Sequence, residues 1–218
     1  MLGAMLDRRA RAILAPVLEA AAHRLGRTGI RANRLTLTGF LAGIGACAAA
    51  ALALWPAALV LWYANRTLDG LDGVVARQRR ATDLGGFLDI VSDFTIYGGF
   101  VLGVAIARPP ARLACVALLV AYYVSGTALL ALSSLAERRA LATGDERSLR
   151  FVGGLAEGTE TVIVYTLFCA FPGAAEWIAW SFAAAVGITA GQRVAMGLRQ
   201  LREPTGRPGE PAGSARGW

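Results

Sequence analysis

The stretch LDGLDGVVARQRRATDLGGFLDIVSD, residues 68–93, carries five aspartates between two strongly apolar parts of the chain. Asp69, Asp72, Gly73 and Ala76 follow an i, i+3, i+4, i+7 spacing, which puts them on one face of a helix. Gly85, Asp89 and Asp93 follow i, i+4, i+8 and share a face of a second helix. Asp72 lies five residues before Arg77 and Asp89 four after Gly85, while Asp69 and Asp93 each lie eight from the same marks. At a rise of ~1.5 Å per residue the pairs sit at matched depth. Two antiparallel helices joined by the short QRRATD connection would therefore bring four carboxylates together. Asp83 falls in the turn and drops out.

Each carboxylate held inside a bilayer costs about 2.5–3.5 kcal/mol on the insertion scale. Four such groups cost on the order of 10 kcal/mol, comparable to the stability of a domain. Arg66 and Arg77 offset part of this. A divalent metal is the natural remainder, because hard carboxylate oxygens suit Mg²⁺ or Mn²⁺ and leave positions open for phosphate oxygens. Two ions would cancel four negative charges and could clamp a diphosphate during displacement at phosphorus. The plainer alternatives are ion pairs with arginine or a water-filled cavity. An EF-hand is excluded, because DGLDG lacks its alternating acidic spacing.

The elements that must position these residues are membrane helices. Of 218 residues, 56% are hydrophobic, and mean hydropathy is +0.50. Apolar runs long enough to span the hydrocarbon recur along the chain, and no strand-like alternation is sustained. Spans are expected at about 35–53, 57–77, 84–107, 113–135, 151–171 and 177–198. The second is polar enough in its later half for a hydropathy window to underrate it. Trp55–Pro56, RPPAR and PG mark breaks. The expected fold is thus an all-α integral membrane protein with six transmembrane helices. Gly39 with Gly43, and Gly99 with Gly103, are small-xxx-small pairs suited to close helix packing.

Residues 1–33 are expected to form a cytoplasmic segment with an amphipathic helix on the membrane surface, with apolar Leu6, Ile13, Val17 and Leu25 opposite an arginine-rich side. No cleavable signal peptide is expected there. Residues 34–200 form the six-helix domain, and 201–218, rich in Pro and Gly, a disordered cytoplasmic tail. All 22 basic residues are arginine, and the net charge is +7. Their clustering at the termini and in alternate loops places both termini, and the aspartate hairpin, on the cytoplasmic side. That distribution favours a membrane bias over nucleic-acid binding. Cys47, Cys115 and Cys169 are too far apart for a zinc motif and read as packing residues.

Asp69-x-x-Asp72-Gly73-x-x-Ala76-Arg77, followed by Gly85-x-x-x-Asp89-x-x-x-Asp93, resembles the signature of the CDP-alcohol phosphotransferases. The connection between Arg77 and Gly85 is one residue shorter than usual for that family. GIRANRLTLTG, residues 29–39, is similar to the family's entry into its first helix, with Ala32-Asn33 where Pro-Asn is usual. The resemblance implies a six-helix, homodimeric enzyme of phospholipid biosynthesis, in the inner (cell) membrane of a bacterium. It implies metal-dependent transfer of a phosphatidyl group from CDP-diacylglycerol to an alcohol, with release of CMP. Asp69, Asp72, Asp89 and Asp93 would hold two ions, Mg²⁺ or Mn²⁺. Asp93 would also be the general base. Gly73, Ala76, Arg77 and Gly85 would contact the CDP-lipid.

The acceptor is left open. Arg138, Arg139, Arg150 and Arg193 suit a phosphorylated acceptor, and Glu157 and Glu160 an amine or polyol. The arginines and lysines that related enzymes place in the fifth helix are missing here. Two other classes also use intramembrane carboxylates: ion- or proton-coupled transporters and metal-dependent membrane prenyltransferases. The first is disfavoured by clustering of the acids near one face. The second is disfavoured because its two aspartate motifs lie on distant helices.

Overall fold

The computed structural model describes residues 32–79, 82–143 and 158–202. Every regular element among them is helical. The α-helices are α1 (Ala32–Ala51), α2 (Trp55–Arg79), α3 (Asp83–Ala107), α4 (Arg112–Thr143), α5 (Gly158–Ala170) and α6 (Ala175–Arg202). They correspond in order to the six expected helices. The expected surface helix of 1–33 lies outside the described residues except at its end, where α1 begins. Most of the expected tail lies outside them as well, while α6 continues through Arg202 into that stretch.

By length and composition, α3 and the stretch Pro109–Leu135 can each cross a membrane. Thr159–Ala170 and Pro172–Arg199 pass only as a pair, bent by 109° at the Pro172–Ala174 turn, and Leu35–Ala51 is a shorter apolar helix. α2 fails the test for the reason visible in its sequence: Arg66, Asp69, Asp72 and Arg77 interrupt its apolar run.

The helix ends follow local chemistry. At the end of α1, Ala53 has a positive φ of 57°, and Leu54 N–H donates to Ala49 O at 2.8 Å. This satisfies a carbonyl that the helix leaves open. Pro56 then occupies the first turn of α2, where a missing N–H costs nothing. Thr82 caps α3, its Oγ1 accepting from Gly85 N–H at 3.1 Å. The two remaining breaks are 3-10 turns at Pro109–Ala111 and Pro172–Ala174.

α1 packs most extensively on α2 and also on α3, while α4 packs on α6. The small-residue pairs lie where α1 meets α2 and α3. A Cβ on Gly39 would stand 3.2 Å from Leu68 Cβ, and one on Gly103 would stand 2.6 Å from Cys47 O. These gaps bring the α1 backbone against both helices that carry aspartates. The core between α2, α3 and α5 is aromatic. Trp62, Phe100, Tyr165 and Phe168 are fully buried, and the Phe100 and Tyr165 rings stack at 4.5 Å. Tyr165 also donates to Tyr97 O at 2.7 Å, tying α5 to α3.

Gly103→Ala forces the new methyl group onto backbone, and should cost about 1–3 kcal/mol in thermal unfolding of the detergent-solubilised protein. Gly187→Ala in α6 meets nothing within 4 Å and should instead stabilise by roughly 0.5–1 kcal/mol through helix propensity. Equal effects would show that α1 and α3 do not approach as described.

Candidate metal and phosphate site

The inner halves of α2 and α3 form the site. Asp69, Asp72 and Asp89 each offer a carboxylate oxygen, and these oxygens lie within 4.8 Å of one another. Asp72 is buried, Asp69 half-buried and Asp89 exposed. Thr36 of α1 hydrogen-bonds the Asp72 carboxylate. The spacing read from the sequence thus brings three of the four carboxylates together, two from α2 and one from α3.

Asp93 lines the same cleft but is held differently. Its Oδ1 lies 2.8 Å from Arg66 Nη2. Arg66 also reaches Asp69 Oδ2 at 3.6 Å, donates from Nε to Asn65 Oδ1 at 2.8 Å, and donates from Nη1 to Tyr97 OH at 2.9 Å. The guanidinium carbon lies 4.9 Å from the Trp62 ring and 5.2 Å from the Tyr97 ring, within the range of cation–π attraction. Asn65 in turn donates to Gly39 O at 2.9 Å. The guanidinium is therefore built into the packing of α1, α2 and α3.

Thr36, Gly39, Asn65, Asp69, Asp72 and Asp93 are among the residues lining this cleft. Its donor set fits a divalent cation. Three hard oxygen donors converge from two helices, and Arg66, beside them, pairs with both Asp69 and Asp93. Coordination by carboxylate oxygens, completed by oxygens of a ligand, is what Mg²⁺ and Mn²⁺ require.

The other residues expected from the sequence divide. Gly73 lies half-buried on α2 next to Asp72, and the N–H of Gly85 serves the α3 cap. Ala76 and Arg77 fall within α2, but their side chains lie outside the described residues, as do Arg139 and all of Arg150 and Glu157. Glu160 is in the first turn of α5. Arg138 is exposed near the end of α4. Arg193 is buried and donates from Nη1 to Ser125 Oγ at 2.7 Å and to Ser125 O at 3.2 Å. It joins α6 to α4 and is not among the residues lining the aspartate cleft.

Sequence reasoning gave Arg66 only a share in charge compensation and did not single out Asn65, Thr36 or Tyr97. A signal for Arg66 was present: it stands i−3 from Asp69, on the aspartate face, in an otherwise apolar helix.

Residues 30–189 match the family model described as CDP-alcohol phosphatidyltransferase. The inner membrane protein YnjF of Escherichia coli K12 is 40% identical over 201 residues, covering 91% of this chain and 98% of that protein. Archaetidylinositol phosphate synthase of Methanothermobacter thermautotrophicus is 39% identical over 79 residues, 36% of this chain and 40% of that enzyme. Among solved structures, phosphatidylinositol phosphate synthase of Mycobacterium tuberculosis with CDP-DAG bound superposes with a TM-score of 0.63 at 25% identity, over 83% of this chain and 92% of that one. The same enzyme in complex with manganese and citrate superposes with a TM-score of 0.64 at 26% identity, over 82% and 87%.

Asp72→Asn removes the most buried of the three converging oxygen donors. It should weaken Mn²⁺ binding to the purified protein by more than about 10-fold, as followed by the loss of free-ion EPR signal. Unchanged affinity would place the ion elsewhere.

Proposed function

The chain belongs to the CDP-alcohol phosphatidyltransferase family, and we propose that it transfers a phosphatidyl group from CDP-diacylglycerol to the hydroxyl of an alcohol, releasing CMP. The observation that carries this reading is the convergence of Asp69, Asp72 and Asp89 oxygens within 4.8 Å, on residues of the family's motif. A related enzyme solved with CDP-DAG bound supports the donor, and its complex with manganese supports a divalent ion. Family membership leaves no observation favouring a transporter or a prenyltransferase.

In this reading Asp69, Asp72 and Asp89 hold Mg²⁺ or Mn²⁺, which when bound supplies Lewis-acid stabilisation of the diphosphate oxygens. Asp93, beside them in the cleft, accepts the proton of the attacking hydroxyl. Its Oδ1 is occupied by Arg66, which leaves Oδ2 to face the acceptor. Gly73, Ala76 and Gly85 present little side chain, so the cytidine end of the donor can lie close against α2 and α3. Arg77, one turn nearer the α2 end than Gly73, offers the fork geometry that suits phosphate. The apolar helices fit an integral membrane protein, with the donor's acyl chains remaining in lipid and the hairpin opening to the cytoplasm. Acceptor choice falls to the ends of α4, α5 and α6, where Glu157, Glu160 and Arg150 stand nearest in sequence to the helix entries. Glu157 and Glu160 depart from the basic residues of phosphate-accepting relatives, so the acceptor need not be phosphorylated.

The test is CMP release by purified protein with CDP-diacylglycerol, Mg²⁺ or Mn²⁺, and a panel of acceptors: glycerol 3-phosphate, inositol phosphate, inositol, serine, choline and phosphatidylglycerol. Release that depends on one acceptor and on the ion is expected. No release with any acceptor, together with ion flux in liposomes, would overturn the reading. Asp93→Asn should lower turnover by at least about 100-fold while CDP-lipid binding persists, and normal turnover by that variant would remove Asp93 as the base.

A further inference from the structure

Arg66 is held more tightly than charge compensation requires. Each of its three guanidinium nitrogens has a partner within the chain: Nε donates to Asn65 Oδ1 at 2.8 Å, Nη1 to Tyr97 OH at 2.9 Å and Nη2 to Asp93 Oδ1 at 2.8 Å. The side chain is only 13% exposed, and the guanidinium carbon stands over the Trp62 and Tyr97 rings. The partners are themselves anchored. Asn65 is buried and donates to Gly39 O on α1, and the Tyr97 ring meets Trp62 and Tyr165 edge-on.

Asp93 depends on this arrangement. Its carboxylate turns about two single bonds, and among the described residues the hydrogen bond from Arg66 is the one that holds it. With Oδ1 pinned, the direction of Oδ2 is set as well. A base must meet the hydroxyl it deprotonates at about 2.6–3.2 Å, and a misplacement of ~1 Å can cost on the order of 100-fold in rate. A freely moving cation would neutralise Asp93 from many positions. A fork locked to α1, α2 and α3 neutralises it from one. With every nitrogen engaged, Arg66 has little left to offer a substrate directly.

We propose that Arg66 is a positioning residue for the transfer reaction: it acts through Asp93, fixing the direction in which that carboxylate presents its oxygen to the acceptor hydroxyl. Lysine would keep the charge and lose the function, because one ammonium cannot bridge Asn65, Tyr97 and Asp93 as a planar fork does. This inference deepens the phosphatidyl-transfer reading and rests on Asp93 being the base in it.

The test measures kcat and KM in lipid nanodiscs at saturating Mn²⁺, for CDP-diacylglycerol and for the acceptor that supports CMP release. Arg66→Met and Arg66→Lys should each lower kcat by more than about 10-fold, with both KM values within about 3-fold of wild type. Asp93→Asn sets the floor. Adding Arg66→Met to Asp93→Asn should lower kcat by no more than about 2-fold further, because a residue that acts through Asp93 then has nothing left to orient. This double variant removes both charges of the buried pair together, so neither is left uncompensated. Wild-type kcat in Arg66→Lys would reduce Arg66 to a counter-charge and overturn the proposal. Losses that multiply in the double variant would overturn it too, as would a loss carried by KM alone, which would make Arg66 a substrate contact. If Arg66→Met does not fold, Arg66→Lys, which keeps the buried charge, decides. Normal turnover by Asp93→Asn would remove the proposal along with the base. No CMP release by wild type with any acceptor would instead refute the phosphatidyl-transfer reading itself.

Discussion

A carboxylate placed among apolar helices has to be neutralised where it stands, because bulk water is not there to do it. α2 and α3 carry four such groups, and the structure meets the requirement in two ways. Asp93 is neutralised from within the chain by Arg66. Asp69, Asp72 and Asp89 are left converging with a geometry suited to an external cation. This division of labour sets what else the fold must supply. Arg66 needs a pocket that will hold a buried guanidinium, and Asp72 needs its partner Thr36 from α1.

Those needs account for the packing around the site. Gly39 lets α1 approach α2 closely enough for its carbonyl to receive Asn65, and Thr36, nearly one turn earlier on α1, reaches Asp72. Asn65 then hands its side-chain oxygen to Arg66. On the other side, Trp62 and Tyr97 form the aromatic faces against which the guanidinium lies. They are held by a ring cluster that extends through Tyr165 on α5. The bond from Tyr165 to the Tyr97 carbonyl connects the second half of the chain to the aspartate helix. The aromatic core therefore has two tasks. It packs α2, α3 and α5, and it fixes the cation that fixes Asp93.

Much of this was legible in the sequence because it depends on helical periodicity. The i, i+3 and i, i+4 spacings of the aspartates, the breaks at Trp55–Pro56 and RPPAR, and the small-residue pairs all express local rules. Most described helix ends fall within four residues of where those rules put them, but α4 runs on to Thr143, past the expected end near 135. What periodicity could not give was the partner of each carboxylate. Asp89 and Asp93 lie on the same face at equivalent spacing, yet one joins a three-oxygen cluster and the other joins a guanidinium. That difference arises from Asn65, Tyr97 and Trp62, which come from different turns and helices and meet Arg66 only after packing. Charge made Arg193 a candidate for a phosphorylated acceptor, and no pattern pointed to its partner Ser125, 68 positions away on α4. Long-range pairings of this kind are set by the crossing of helices, which no local pattern records.

The most direct measurement is an anomalous-scattering map of crystals grown with Mn²⁺. A peak within ligand distance of Asp69, Asp72 and Asp89 is the predicted result. No peak near these three carboxylates, at saturating Mn²⁺, would contradict it.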